Sequence, residues 1–335
     1  KETLHLAREF MTVVLYATPL SYVFIGMNNL MRATGYPAKA MISALISVVV
    51  NVILAPILIF KLEMGMRGAA LATVGGQFCG FIWVLAHFLS KKSFVHLSRN
   101  NKWLSWSIVR KMYEIGLSPF LMNITACFVV VFLNKALLSS SSDSLDGNMA
   151  VGAYGILNRV GMFFVMLVFG VTQGMQPILG YNFGAMKWER VKRTLRLGIW
   201  AGFGITLIGW ILTELMPDTI SMMFTTDETL IGFARDGFRL FFICFPLVGC
   251  QIIITNFFQS IGKPALSIFL SLTRQLIFLL PLLAVLPRHF GVTGVWASVG
   301  CSDFLAFVLA LVTIIVMMKR LSKKYNDRAV ADSRL

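Results

Sequence analysis

Long apolar runs without a charged residue recur along the whole sequence, and they constrain the fold more than any other feature. A bilayer core of about 30 Å is crossed by roughly 20 apolar residues of helix, because every backbone polar group must be satisfied within the segment. Seven runs fit this requirement: residues 10–31, 40–60, 68–90, 115–134, 160–186, 197–213 and 240–262. Two more, residues 264–286 and 291–318, fit if each accepts one interior charge. We therefore expect about nine membrane-spanning helices.

The composition agrees with an all-α integral membrane protein. Hydrophobic residues make up 57% of the chain and charged residues only 13%, whereas soluble domains carry roughly 25% charged residues. The mean hydropathy is +0.77. These values exclude an ordinary soluble enzyme and a disordered chain, and runs of this length exclude the ~10-residue alternating strands of a membrane β-barrel.

The basic residues behind the net charge of +15 lie between the apolar runs and not on one face. Their distribution therefore indicates membrane topology and not a binding surface. Basic residues collect in three places: residues 91–111, residues 187–196 and residues 319–335. The connections 139–148 and 216–230 contain no Lys or Arg. The positive-inside rule predicts that the basic segments, including the C-terminus, are cytoplasmic. We expect membrane lipids, and not nucleic acid, as partners of this charge.

The longest basic connection divides the sequence into lobes. We expect residues 1–90 to form three helices, the C-terminal half of an N-lobe, and residues 91–111 to form a cytoplasmic linker. Residues 112–318 would form a six-helix C-lobe, and residues 319–335 a basic cytoplasmic tail.

The first three predicted spans repeat as the last three. A shift of 226 or 227 residues superposes Gly35 on Gly262, Pro37 on Pro264, Gly65 on Gly291 and Gly68 on Gly294. Many transporters are built from such repeats, and an offset that is even in spans makes these repeats parallel. The three spans that follow the linker have no partners under this shift, and the chain begins with Lys1. We therefore expect an N-terminally truncated member of a twelve-helix, 6+6 pseudo-symmetric transporter.

Four local strings are distinctive: AYGILNR at residues 153–159, GMQPILGYNFGA at 174–185, MRATG at 31–35 and GAALAT at 68–73. These strings resemble the multidrug and toxic compound extrusion (MATE) family, most of all its bacterial branch. The resemblance implies a monomeric, multi-pass plasma (inner) membrane antiporter. Such a protein exports lipophilic organic cations or drugs in exchange for H⁺ or Na⁺ by alternating access of two helical lobes.

One motif departs from the family pattern. Many prokaryotic members have Asn-x-x-x-Asp-Pro in the first lobe, where the Asn and Asp help to bind the coupling cation. Here Asn51 and Thr73 match family positions, but Ala55 replaces the Asp. Two neutral oxygens without a carboxylate make a weak cation site. Asn51 and Thr73 remain coupling-ion candidates, and coupling through the first lobe is in doubt.

Asp303 and Arg274 are the ionisable residues of the two spans that contain charges. Charged groups at membrane depth cost about 2.5–3.5 kcal/mol on insertion scales, so each is a functional candidate. Both lie about ten residues from a span end, near the midplane at about 1.5 Å per residue. Two interpretations stay open. Asp303 is either the titrating group that couples ion entry to transport, or half of a permanently ionised pair with Arg274.

A set of amides, aromatic residues and one cation forms the candidate substrate cavity. Amides also serve as ordinary contacts between membrane helices, and aromatic residues also face lipid. For each candidate, a purely structural role therefore stays open as the alternative. Gln176 and Asn182 flank Pro177 and Gly180, where we expect an interrupted helix. The candidates are Gln176, Asn182, Asn158, Arg159, Asn123, Gln259, Met162 and Phe163.

The sequence lacks the motifs of an enzyme. It has no P-loop, no Gly-x-Ser-x-Gly and no His-Glu-x-x-His, and its five cysteines show no Cys-x-x-Cys spacing. We therefore expect no enzymatic activity, no metal and no cofactor, and an ion gradient as the energy source. The alternative function is a lipid-linked precursor flippase or polysaccharide exporter of the related superfamily, whose cavity would need several basic residues for pyrophosphate.

Overall fold

A computed structural model gives the fold of the chain. It describes residues 2–90, 93, 95, 105–140 and 144–332, without the side chains of residues 2, 3, 118, 144–146 and 324–332. The chain divides into two compact units, which we call unit 1 (Lys1–Trp103) and unit 2 (Leu104–Leu335). All regular elements of the described residues are helices. The all-α prediction is confirmed.

Unit 1 contains three long helices. They are α1 (Glu2–Ala33), α2 (Pro37–Pro56, continued by the π-helical turn Ile57–Lys61) and α3 (Gly65–Leu89). Phe24, Met31, Ala40, Val84 and Phe88 form its buried apolar cluster.

Unit 2 contains eight helices. They are α4 (Trp106–Ser139), α5 (Ser144–Gly184), α6 (Trp188–Leu215), α7 (Pro217–Met222), α8 (Glu228–Phe241), α9 (Phe245–Ser260), α10 (Pro264–Leu272, continued by the π-helical segment Thr273–Leu279) and α11 (Leu280–Asp332). One buried cluster centres on Phe238, Phe242 and Trp296. A second centres on Leu179, Phe257 and Phe258.

The helices of the described residues supply the expected number of membrane crossings. Seven helical stretches are long and apolar enough to cross, and the bent pair α8 and α9 adds one more. One of the seven, Pro264–Lys323, has 60 residues, about 90 Å of helix and too long for one crossing. It contains a non-helical residue, Gly291, with φ 56° and ψ −138°. Counting its two arms separately gives nine crossings, as predicted.

The seventh predicted span, residues 240–262, is wrong as a single straight helix. The chain bends by 56° between α8 and α9, and α9 has a proline at its start. Pro246 has no backbone N–H to donate to the preceding turn, and its ring clashes with a continuing helix. The hydropathy of the run gave no sign of this bend, because Pro246 is itself uncharged.

The predicted linker and tail are only partly described. Most of residues 91–111 lies outside the described residues, and α4 begins within this range at Trp106. The tail, residues 319–335, continues α11 as far as Asp332.

The sequence repeat is visible in the backbone. Gly35 and Gly262 have φ values of 92° and 73°, and Gly65 and Gly291 have values of 54° and 56°. These left-handed values favour glycine. In both repeats the second helix contains a π-helical segment. The repeated glycines therefore mark equivalent reversals of the chain between successive crossings.

A close helix contact in unit 2 joins α6 to α9 through two glycines. A methyl group added to Gly249 would overlap the Gly202 carbonyl. Thr206 of α6 also donates to the Pro246 carbonyl across this contact at 3.0 Å. Small residues at membrane helix contacts allow such close backbone approach.

Gly249→Ala is expected to destabilise unit 2 by about 1–3 kcal/mol, because α6 and α9 must separate to admit the methyl group. Gly204→Ala on α6 is the matched control, since a methyl group there meets nothing within 4 Å. Thermal unfolding in detergent would measure both. Equal melting temperatures for the two variants would contradict the close contact.

Candidate substrate and ion-coupling sites

Arg274 and Asp303 form an ion pair inside unit 2. The Nε of Arg274 donates to Oδ1 of Asp303 at 2.8 Å. Asp303 is only 4% exposed, while the Arg274 side chain is 31% exposed. A carboxylate this deeply buried requires a cationic partner, and the guanidinium provides one.

The reversal at Gly291 brings these two residues together. Asp303 lies twelve residues after Gly291 on α11, about 18 Å along the helix axis. Arg274 lies in the π-helical segment that precedes the reversal. The chain therefore folds back on itself, and residues 29 positions apart meet at membrane depth.

The segment around Arg274 has an open polar position. Among the described residues, the buried Oε1 of Gln275 has no hydrogen-bond partner. π-helical turns widen a helix and are frequent at functional sites. The Gln275 oxygen is thus an unused acceptor next in sequence to Arg274, and the Asp303 carboxylate is the group that can take up a proton.

In unit 1, neutral groups take the place of the ion pair. Nδ2 of Asn51 donates to Oγ1 of Thr73 at 3.1 Å, so the two residues that match the family motif do meet. One turn along α3 from Thr73, Gln77 stands where the repeat has Asp303, and its Oε1 accepts a hydrogen bond from Ser21. Ala55 adds no charge. The described residues here offer oxygen ligands but no carboxylate.

Sequence reasoning missed Ser21. The only available signal was a hydroxyl within the apolar run 10–31. Nothing in its spacing pairs it with a residue 56 positions away.

One exposed face of α5 carries most of the cavity candidates. Arg159, Met162, Phe163 and Gln176 are exposed, and Asn158 beside them is half-buried. Arg159 lies twelve residues into the span Gly147–Gly184, about 18 Å from its start. A cation, an amide and large apolar side chains therefore share one face at membrane depth.

The helix interruption expected near Pro177 is absent, so that expectation was wrong. α5 runs without a break over 41 residues from Ser144 to Gly184. Long membrane helices tolerate an interior proline, because neighbouring groups satisfy the freed carbonyl.

Asn182 therefore lies at the end of α5 and not beside a mid-membrane break. It is buried and donates to the Ile178 carbonyl at 2.8 Å. Its backbone carbonyl accepts from Lys187 in the turn that leads to α6.

The two remaining cavity candidates lie on other helices. Asn123 of α4 is exposed and donates to the Pro119 carbonyl of its own helix at 2.8 Å. Gln259 is half-buried near the end of α9.

Exposed charges near helix ends form ordinary surface ion pairs. Arg235 binds Asp218 through two bonds of 2.7 Å, and Arg110 binds Glu114 at 3.0 Å. Exposed pairs of this kind contribute little to stability.

Comparison with known proteins finds a family model and several relatives that this chain resembles. The family model described as MatE matches residues 122–285. The multidrug export protein MepA of Staphylococcus aureus strain N315 is 27% identical over 325 residues, which cover 96% of this chain and 69% of the relative. The MepA protein of Staphylococcus haemolyticus is 26% identical over the same shares. The chain is thus similar to the MatE family over residues 122–285 and to the MepA proteins over most of its length.

Solved structures show the MATE transporter fold. A multidrug resistance MATE family transporter of the MOP superfamily, in an outward-facing conformation, matches with a TM-score of 0.89 at 20% identity, over 96% of this chain and 72% of that one. A MOP superfamily transporter from Pyrococcus furiosus, for which a binding pocket of reverse polarity is described, matches equally well at 20% identity and the same coverage. The resemblance inferred from the sequence strings is confirmed.

Removing one partner of the buried Arg274–Asp303 pair is expected to cost stability. Asp303→Leu leaves Arg274 without its carboxylate, and we expect a loss of about 2–3 kcal/mol, moderated by the partial exposure of Arg274. The double variant Arg274→Met, Asp303→Leu should recover most of this loss, because no buried charge remains. Melting temperatures of the single and double variants test the coupling. Additive losses would contradict it.

Proposed function

We propose that the chain is a secondary antiporter that exports lipophilic organic cations in exchange for H⁺ or Na⁺ by alternating access. We further propose that it works as a monomer in the plasma membrane with its C-terminus in the cytoplasm. The match to the MatE family model and the multidrug export function named for the similar Staphylococcus proteins support the proposal.

The exposed face of α5 is the observation that carries it. Arg159 is exposed well inside a membrane span, and a cation facing lipid at that depth is costly. This face therefore lines a water-filled cavity. Phe163, 61% exposed, and Met162 beside it offer an aromatic ring and a polarisable thioether to lipophilic cations.

Asp303 is the proposed coupling group. Among the described residues it is the one buried carboxylate, whereas the Asn51 and Thr73 position has only neutral oxygens. In the proposed cycle a proton from outside binds the Asp303 carboxylate, and the bond to Arg274 breaks. The two helical arms on either side of Gly291, which form a hairpin, then separate. The proton leaves to the cytoplasm when the pair forms again.

Asp303→Asn is expected to abolish export and leave membrane insertion intact. Ethidium efflux from cells that express the protein would measure export, with the proton and sodium gradients collapsed separately to identify the ion. Asp218→Asn is the matched control, because it removes an acid from an arginine pair that is exposed. Unchanged ethidium efflux by Asp303→Asn would favour a permanently ionised structural pair.

Arg159 favours a second candidate function, a lipid-linked precursor flippase or polysaccharide exporter. A cavity cation repels cationic substrates and binds pyrophosphate. No ion pair of Arg159 occurs within the part of the chain that the structure describes.

Arg159→Gln separates the two candidates. If organic cations are the substrate, ethidium efflux should persist or rise, because a repulsive charge leaves the cavity. If a pyrophosphate-bearing lipid is the substrate, its translocation in reconstituted vesicles should fall by about tenfold or more, as expected for the loss of a charge-assisted bond. Loss of ethidium efflux in Arg159→Gln would count against the hypothesis that organic cations are the substrate.

A further inference from the structure

The end of unit 1 where α1 turns into α2 concentrates basic side chains. Arg32, Lys39 and His87 lie at this end. The sequence has no acidic residue between Glu9 and Glu63, nor between Glu63 and Glu114. Glu9 and Glu63 belong to the opposite helix ends, where Glu9 binds Arg67 at 3.0 Å. The carboxylates of unit 1 therefore do not balance this cluster.

His87 presents a buried donor in the cluster. It is only 6% exposed, and its Nδ1 lies 3.4 Å from Nζ of Lys39. A lysine ammonium only donates, so Nδ1 accepts and the ring proton lies on Nε2. Within the described part of the chain, Nε2 has no hydrogen-bond partner. A buried N–H of this kind calls for an acceptor.

The start of α2 adds further donors beside this ring. The Tyr36 side chain precedes the helix without capping it, and proline opens the helix. The amides of Ala38 and Lys39 thus lie in the first turn, where a helix favours anions. The Tyr36 ring packs edge-on against His87 at 4.7 Å between centroids, and Nζ of Lys39 lies 4.9 Å from the centre of the same Tyr36 ring.

Arg32 completes the charged rim. Its Nε and Nη2 both donate to the side-chain oxygen of Asn28, at 3.0 and 2.7 Å. Asn28 is itself fixed by its bond to the Ala40 carbonyl at 2.9 Å. A neutral amide therefore orients the guanidinium on this side.

The position of the cluster indicates the kind of anion. It lies at the ends of the crossings Leu4–Ala33, Pro37–Lys61 and Gly65–Leu89, which is the level of lipid headgroups. Phe88 of the unit 1 apolar cluster packs against His87, with 5.4 Å between the ring centroids. Basic pockets between membrane helices recognise anionic headgroups in this way.

We propose that Lys39, His87 and the first turn of α2 form a binding site for the phosphate of an anionic phospholipid. The ammonium supplies charge, and the His87 Nε2–H and the helix amides supply directed donors. This site is built from residues of unit 1 and contains none of the proposed transport residues of unit 2, and its test does not depend on export.

Native mass spectrometry of the detergent-purified protein tests the site with phosphatidylglycerol and with phosphatidylcholine of the same acyl chains. We expect preferential binding of phosphatidylglycerol. Lys39→Gln should weaken it about fivefold, as expected for one cation near a headgroup, and Lys39→Arg should retain it. His87→Phe keeps the aromatic packing and removes the N–H, so it should also weaken binding.

Lys263→Gln is the matched control, because Lys263 lies in the equivalent Gly-x-Pro turn of unit 2. It should leave the phosphatidylglycerol preference unchanged. An equal loss in Lys263→Gln and Lys39→Gln, or equal binding of the two lipids, would overturn the proposal. Displacement of phosphatidylglycerol by millimolar inorganic phosphate would overturn the lipid as the source of the phosphate.

Discussion

The ion pair between Arg274 and Asp303 is the interaction on which the rest of the candidate machinery depends. Hydrocarbon does not solvate either charge, so the two side chains stabilise one another or must reach water. Their bond holds the π-helical segment after α10 against α11. Any event that neutralises Asp303 changes the balance of charge at this contact, and the helices that carry it gain freedom to move.

The same requirement for a partner or for water applies to the charges that lack such a bond. Arg159 is exposed at membrane depth, and this distinguishes the α5 face from a surface covered by lipid. Lys39 and His87 lie at a helix end, where headgroups supply anions. Three positions of charge thus correspond to three environments: the protein interior and, in our proposals, an aqueous cavity and the headgroup layer.

Much of the fold was predictable because its strongest determinants are local. Apolar runs fix the crossings, and the glycines at positions 35, 65, 262 and 291 mark reversals in a backbone conformation that other residues rarely adopt. The bend at Pro246 and the continuity of α5 through Pro177 were not predictable, because both prolines look alike in sequence. Only the packing around each proline decides whether the helix breaks.

The candidate sites were predictable in identity more than in arrangement. Intramembrane charge singled out Asp303 and Arg274 by its cost alone. The bond between Ser21 and Gln77 joins distant neutral residues, and no periodicity reveals such a pair. The burial of His87 likewise arises from Tyr36 and Phe88, which pack around it only in the folded unit.

The glycine reversal at residue 291 also bears on how the protein enters the membrane. Arg274 and Asp303 lie on the two arms of a single hairpin, 29 residues apart. If the arms leave the insertion machinery together, each charge crosses into lipid already neutralised by the other. A helix carrying Asp303 alone would face the full cost of its carboxylate at the moment of insertion. The turn therefore lets both charges enter the membrane as a pair, which lowers the cost of burying them during synthesis and before any transport takes place.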